Sequence, residues 1–287
     1  MSTRNQAGSA LRIGAVAYDA KVVTIWEGFQ SFFETHGIKV DYVLYSNYDS
    51  QVDALLNDEI EIAWNSPLAW VKAQLMSREQ CQALAMRDSD RDLTTKIIVR
   101  RNSEIENLKD LQGKIIAVGA TDSPQATLIP LSFLAGAGLH PGEDCEVRYH
   151  NVMVGKHGDH VGGERDAARA LAAGTADAAC ILDNNYSTFI NEGTLDPGTT
   201  VILASTPPFD HCNFTAKGGL PSAMVDNFSR GLLEMSFSDP VVRPYMEMEG
   251  LNKWLPARTA GYEQLERAVA KFGFYDLPMP LAKVSPR

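Results

Sequence analysis

Lys114-Ile-Ile-Ala-Val-Gly-Ala-Thr-Asp-Ser-Pro-Gln-Ala-Thr-Leu-Ile-Pro130 is the stretch whose reading decides the fold. Its first five residues form an apolar run that predicts a buried strand. The remainder predicts a helix start, with Ser123 or Thr121 as cap and Pro124 at the first helical position, where a missing N–H is harmless. A strand, a polar turn and a helix start make the repeating unit of a parallel α/β sheet. At such a start the N–H groups of Gln125 and Ala126 are expected to stay unpaired, and the helix dipole favours negative charge there. The turn therefore reads either as an ordinary helix cap or as a cradle for an anion. Pro130 falls inside the helix and is expected to kink it.

The same alternation extends toward the N-terminus. Residues 11–17 predict a strand, and Val22, Ile25, Trp26, Phe29 and Phe33 follow at helical spacing up to Gly37. A strand over 39–45, a helix carrying Val52, Leu55 and Leu56, a strand over 60–64 and a helix from Pro67 come next. After an extended segment at 95–101 the pattern starts afresh, with strands near 146–149, 178–182 and 200–204 and a helix over 164–173 closed by Gly174. Residues 221–274 carry a mostly helical pattern. The second αβ unit reads as an insertion in the first, with crossings near 96–101 and 203–209 that make a hinge. The expected lobes are 11–97 with 206–287, and 98–205, while residues 1–10 are expected to be disordered.

In parallel sheets the ligand crevice lies beyond the carboxyl ends of the strands. Those ends carry Tyr18 and Asp19, Asn47 and Tyr48, Asn65 and Ser66, and Asp183 with Asn184 and Asn185. Turns favour Asn, Asp and Ser without any ligand, so each residue has an ordinary reading beside the functional one. Trp26 and Trp64 sit in apolar patterns and read as core, whereas Tyr18 and Tyr48 offer an aromatic side to a crevice.

Composition narrows the function classes. A chain of 287 residues with 45% hydrophobic and 22% charged residues suits two globular domains. The formal charge of −10, without a Lys/Arg stripe, argues against a nucleic-acid partner. Cys81, Cys145, Cys180 and Cys212 are scattered with no CxxC pair, so neither a disulfide framework nor a zinc ribbon is signalled. Cys180 reads as a small core residue. No window approaches the roughly 18 apolar residues of a transmembrane helix. The polar first ten residues do not form a signal-peptide core, which places the chain as written in the cytoplasm. Removal of an export signal would place it in the periplasm or outside the cell.

Three segments, Tyr48-Asp-Ser-Gln-Val-Asp-Ala-Leu-Leu-Asn-Asp-Glu-Ile-Glu-Ile-Ala-Trp-Asn-Ser-Pro-Leu-Ala-Trp70, Ile105-Glu-Asn-Leu-Lys-Asp-Leu-Gln-Gly-Lys-Ile-Ile-Ala-Val-Gly119 and Ala172-Ala-Gly-Thr-Ala-Asp-Ala-Ala179, resemble the phosphate/phosphite/phosphonate substrate-binding proteins of ABC transporters. The resemblance runs from about residue 12 to 240. It implies the type II periplasmic-binding-protein fold, a two-lobed α/β clamp closing over a small polar ligand of phosphonate, phosphite or carboxylate type. It also implies an ABC permease or a sensor as partner. The family's oxyanion site would fall on Ser123 with its neighbouring amides, on Tyr48 and on Asp183. Asp122 departs from the usual Ser/Thr-rich turn. A carboxylate about 4 Å from an anion would repel it by about 4 kcal/mol, so either Asp122 turns away or the ligand is not a phosphonate dianion.

A second departure is the histidine-rich loop over 156–164. His157, His160 and His211 are expected to face the ligand. With Cys212 and Glu164 they could hold zinc or iron, but loop histidines more often bond a ligand or the backbone. Neither a resident metal nor a cofactor is expected. The full expected contact set is Tyr18, Tyr48, Asn65, Ser66, Thr121, Asp122, Ser123, Gln125, His157, His160, Asp183 and His211. Two functions fit. One is a binding protein for uptake or sensing. The other is a cytoplasmic lyase or hydrolase on a small organic acid or aromatic, using His157, His160, Asp122, His211 and Cys212.

Overall fold

The computed structural model describes residues 10–158 and 161–275. The expectations for residues 1–9 and for His160 lie outside the described residues. In chain order the elements are β1 (Leu11–Val16), α1 (Lys21–Thr35), β2 (Val40–Tyr45), α2 (Tyr48–Leu56), β3 (Ile62–Asn65), α3 (Pro67–Ser77), β4 (Gln82–Ala83), β5 (Ala85–Arg87) and β6 (Thr95–Arg100). There follow β7 (Ile115–Val118), α4 (Ile129–Gly136), β8 (Glu146–Tyr149), α5 (Gly162–Ala172), β9 (Ala178–Leu182), α6 (Asp183–Asn191) and β10 (Thr200–Ser205). The chain ends in β11 (Asn213–Ala216), α7 (Ser222–Glu234), α8 (Arg243–Glu249), β12 (Trp254–Pro256) and α9 (Glu263–Phe272). Among the described residues no helix is long and apolar enough to cross a membrane. The chain divides into two compact units, residues 1–91 with 212–258 and residues 92–211 with 259–287.

The first unit is built on a sheet of order β2-β1-β3-β11-β4. Strand β1 runs parallel to β2 and β3, while β11 runs antiparallel to β3 with Asn213 opposite Asn65. Helix α1 buries Val22, Ile25, Trp26, Phe29 and Phe33, the stripe that its spacing predicts. These residues meet an aromatic cluster centred on Phe214, whose ring lies 4.8 Å from Trp64, 5.2 Å from Trp254, 5.3 Å from Phe228 and 6.0 Å from Trp26. Trp26 and Trp64 are core residues, as expected. The part-buried Arg87 guanidinium binds Asp90 at 2.5 and 2.8 Å and Glu249 at 3.2 Å, tying β5 to α8 through a compensated charge.

The second unit carries a sheet of order β10-β6-β9-β7-β8. β7 is parallel to β8 and β9, and β6 is antiparallel to β9 and β10. Alternate residues of the strands feed opposite faces. Ile97, Val99, Ile116 and Val118 pack with Leu131 and Leu134 of α4. Ile98, Ala117 and Ile181 pack with Ala168 and Leu171 of α5 and with Phe189 of α6.

Two expectations differ from the structure. β11, in a stretch for which no element is predicted, and β12, inside the mostly helical pattern of 221–274, are strands that pair antiparallel with β3 and β5. They have four and three residues, too few to show a period, and their identity comes from partners far away in the chain. The last helix, expected in the first lobe, belongs to the second unit. It buries Leu265, Ala268 and Val269, packs along α4, and Gln264 donates to the carbonyls of Pro207 and Pro208 at 2.9 and 2.7 Å.

Truncation of Phe214 at the centre of the aromatic cluster is expected to destabilise the first unit by about 3–5 kcal/mol. Urea unfolding of Phe214→Ala followed by tryptophan fluorescence measures this directly, and a loss below about 1 kcal/mol contradicts the central packing role.

Candidate functional site

The motif after β7 begins with a capped turn. Ser123 has extended backbone, and its Oγ accepts the Ala126 N–H at 3.2 Å. Ser123 is therefore the cap. The Ala126 amide, expected to be unpaired, is satisfied inside the motif. Thr121 plays a different part, donating its N–H to Asn151 Oδ1 at 2.9 Å.

Pro130 acts through one missing donor. It cannot supply an N–H to the Ala126 carbonyl, and that oxygen instead accepts from the Gly119 N–H at 3.3 Å. The approach is close enough that a Cβ on Gly119 would lie 2.8 Å from Ala126 Cβ. Residues Pro124–Leu128 wind as a single wide π turn, with Leu128 N–H donating to Ser123 O at 3.0 Å, before α4 begins. The expected kink takes this form.

Gln125 is almost fully buried, and its side-chain amide is committed to protein groups. Nε2 donates to Gly158 O at 2.8 Å and to Glu164 Oε1 at 3.3 Å, and Oε1 lies 3.3 Å from His211 Nε2. The other carboxylate oxygen of Glu164 accepts from Leu182 N–H and Asn185 Nδ2, both at 2.9 Å. A line of polar contacts thus runs from the end of β9 through Glu164 and Gln125 to His211. Burial pushes the Glu164 carboxyl above the usual range, and the hydrogen bonds that favour its charged form offset this only in part.

The histidine-rich loop is pressed onto this line. A Cβ on Gly158, whose φ is +76°, would stand 2.5 Å from Ser123 Oγ and 2.6 Å from Gln125 Nε2, so only glycine fits. His157 beside it is buried with a positive φ of 49°. Asp122 is buried and accepts the Gly155 N–H on Oδ2 at 2.5 Å, so this oxygen faces the loop. Asp183 at the end of β9 pairs with Lys96 Nζ at 3.0 Å and is half exposed.

In the first unit the expected residues gather where β2 and β3 give way to helices. Asn47 caps α2 by accepting from Ser50 N–H at 2.8 Å, and Tyr48, the next residue, is buried. Asn65 and Ser66 are fully buried, and Ser66 caps α3 by accepting from Ala69 N–H at 3.1 Å. Tyr18 packs against the core with Lys21 Nζ 5.7 Å from its ring centroid. Cys212 lies in the apolar core of this unit.

One further residue of this group escaped the sequence reading. Gln51, fully buried, donates Nε2 to Trp64 O at 2.9 Å and to Asn65 Oδ1 at 2.8 Å. Its signal was present: it stands four residues before Leu55, so a polar side chain occupies the inward stripe of α2.

The model of the family described as ABC transporter, phosphonate, periplasmic substrate-binding protein matches residues 15–262. Among solved structures, the methylphosphonate complex of PhnD1 from Prochlorococcus marinus is 17% identical, with a TM-score of 0.68 over 92% of this chain and 98% of that one. A Xanthomonas citri protein with ATP bound is 17% identical, with a TM-score of 0.71 over 93% of this chain and 99% of that one. The aliphatic sulphonate binding protein SsuA of Escherichia coli is 17% identical, with a TM-score of 0.61 over 98% of this chain and 96% of that one. These likenesses establish the type II periplasmic-binding-protein fold.

The buried carboxyl of Glu164 has a testable pH signature. Its folded pKa lies above its unfolded one, so ionisation disfavours the fold. Its contribution is most favourable below the unfolded pKa and declines as pH rises through the folded one. Melting temperature against pH for the native chain and for Glu164→Gln should show this decline in the native chain alone. Parallel curves overturn the assignment.

Proposed function

The chain belongs to the family of phosphonate periplasmic substrate-binding proteins of ABC transporters, and from that membership we propose that its ligand is a small phosphonate- or sulfonate-type oxyanion. It is a small-molecule binding protein. The observation that carries the ligand class is the buried, Ser123-capped helix start at the carboxyl end of β7, where the helix dipole favours negative charge. In this reading the ligand contacts are Ser123 with its neighbouring amides, His157, Asp183, Tyr48, Asn65 and Ser66. The hydrogen bond from Gly155 gives Asp122 a role in the loop, which eases the conflict between its charge and an anion. Gln125 and Glu164 act behind the ligand, holding the turn and the loop.

The enzyme reading is not favoured. Cys212 is buried and one oxygen of Asp122 is committed to a backbone N–H. The family's periplasmic setting supports delivery to an ABC permease outside the cytoplasm rather than work inside it.

Isothermal titration with methylphosphonate, phosphite, phosphate and methanesulfonate tests the ligand class. Saturable one-to-one binding of at least one is expected, weakened about tenfold or more in Ser123→Ala by loss of a hydrogen bond to a charged ligand. Absence of heat with all four sinks the oxyanion reading.

A further inference from the structure

We infer that Lys96 and Asp183 form a charge balance beside the turn after β7, in which each holds the other's charge off an anionic ligand, so that Lys96 is a specificity-determining residue of the second unit. The inference rests on the oxyanion reading above and says how a carboxylate can serve an anion.

Asp183 poses the difficulty that the pair resolves. It stands directly after β9 as the first residue of α6, and its side chain is 45% exposed. A lone carboxylate at that end of the sheet would repel an oxyanion. Lys96 Nζ lies 3.0 Å from Asp183 Oδ1, and the lysine side chain is only 16% exposed. Its stem is held against the protein while its ammonium is spent on Asp183.

The backbone fixes this meeting. β6 runs antiparallel to β9, with Thr95 opposite Leu182 and Lys96 opposite Ile181, so the first residues of β6 stand at the carboxyl end of β9. The Asp183 N–H donates to Thr94 O at 2.9 Å and extends the ladder there. The sheet also carries the pair close to the turn. β9 lies between β6 and β7, and two strand spacings make about 10 Å. Thr95, the neighbour of Lys96, donates Oγ1 to Gln125 O at 2.5 Å, so the start of β6 is tied to the turn itself. Over about 10 Å, roughly one Debye length at 0.1 M salt, a single uncompensated charge still acts on an anion at the turn. Two opposite charges 3.0 Å apart nearly cancel at that range. Remove either one and the other is felt.

The sign of the effect separates this balance from a plain structural brace. A brace between β6 and α6 weakens ligand binding whichever partner is lost. The balance gives opposite signs. Titration at low ionic strength uses whichever of methylphosphonate and methanesulfonate binds the native chain more tightly. Lys96→Met keeps the apolar stem, leaves Asp183 uncompensated and should weaken binding by about three- to tenfold. Asp183→Asn leaves Lys96 uncompensated and should tighten binding by a similar factor. Both changes should shrink at about 0.5 M salt, where screening is stronger. Circular dichroism checks the fold of each variant, since partly exposed ion pairs add little stability, and Asp183→Asn alone decides the sign if Lys96→Met does not fold. Any other pattern of signs overturns the inference and leaves the oxyanion reading standing. If neither anion binds the native chain, both fall.

Discussion

The carbonyl of Ala126 has no amide four residues on, because residue 130 is proline, and the shape of the turn after β7 depends on how that oxygen is satisfied. Gly119 supplies the donor. For its N–H to arrive, the turn after β7 must fold back on the helix start, and residue 119 must carry no side chain. The widened π turn follows, with Ser123 capping it and Gln125 held inside it. A proline that would only weaken a regular helix here sets the geometry of the turn proposed to bind anions.

Buried polar groups then lock the turn to the rest of the unit. Glu164 gathers donors from β9 and α6 and passes the constraint through Gln125 to Gly158 and His211. Thr95 ties the beginning of β6 to the same turn, donating Oγ1 to Gln125 O at 2.5 Å. Each bond adds little net stability, on the order of 1 kcal/mol, but leaving one unmade in this interior costs more. The network therefore specifies one arrangement more than it strengthens the fold.

Much of this was legible in the sequence where the signal is local. Strand and helix periods located β1 to α3, β6 to β9 and β10, though not the short β4 and β5 or the polar α6; the Ser123-Pro124 pair located the cap, and phrases such as residues 48–70 pointed to the family. Partners brought from afar were not legible. β11 and β12 are too short to show a period, and the stripe of α9 states that it is buried without stating against which core. Gln51 drew no reading and Gln125 was expected as a ligand contact, because sequence does not say whether an amide meets protein or solvent.

Charge places a further constraint on the anion uptake proposed for this chain. Its net charge is −10, so long-range attraction works against an anionic ligand and the preference has to be generated locally. Two cations near the strand ends are already compensated: Lys96 by Asp183, and Arg87 by Asp90 and Glu249. In the proposed reading the preference then falls to dipolar groups, namely the helix start after β7. Such groups discriminate by geometry and by the donor and acceptor pattern of the ligand, more than by its total charge. A site of the proposed kind suits reversible capture and release, where affinity must be specific without becoming irreversible.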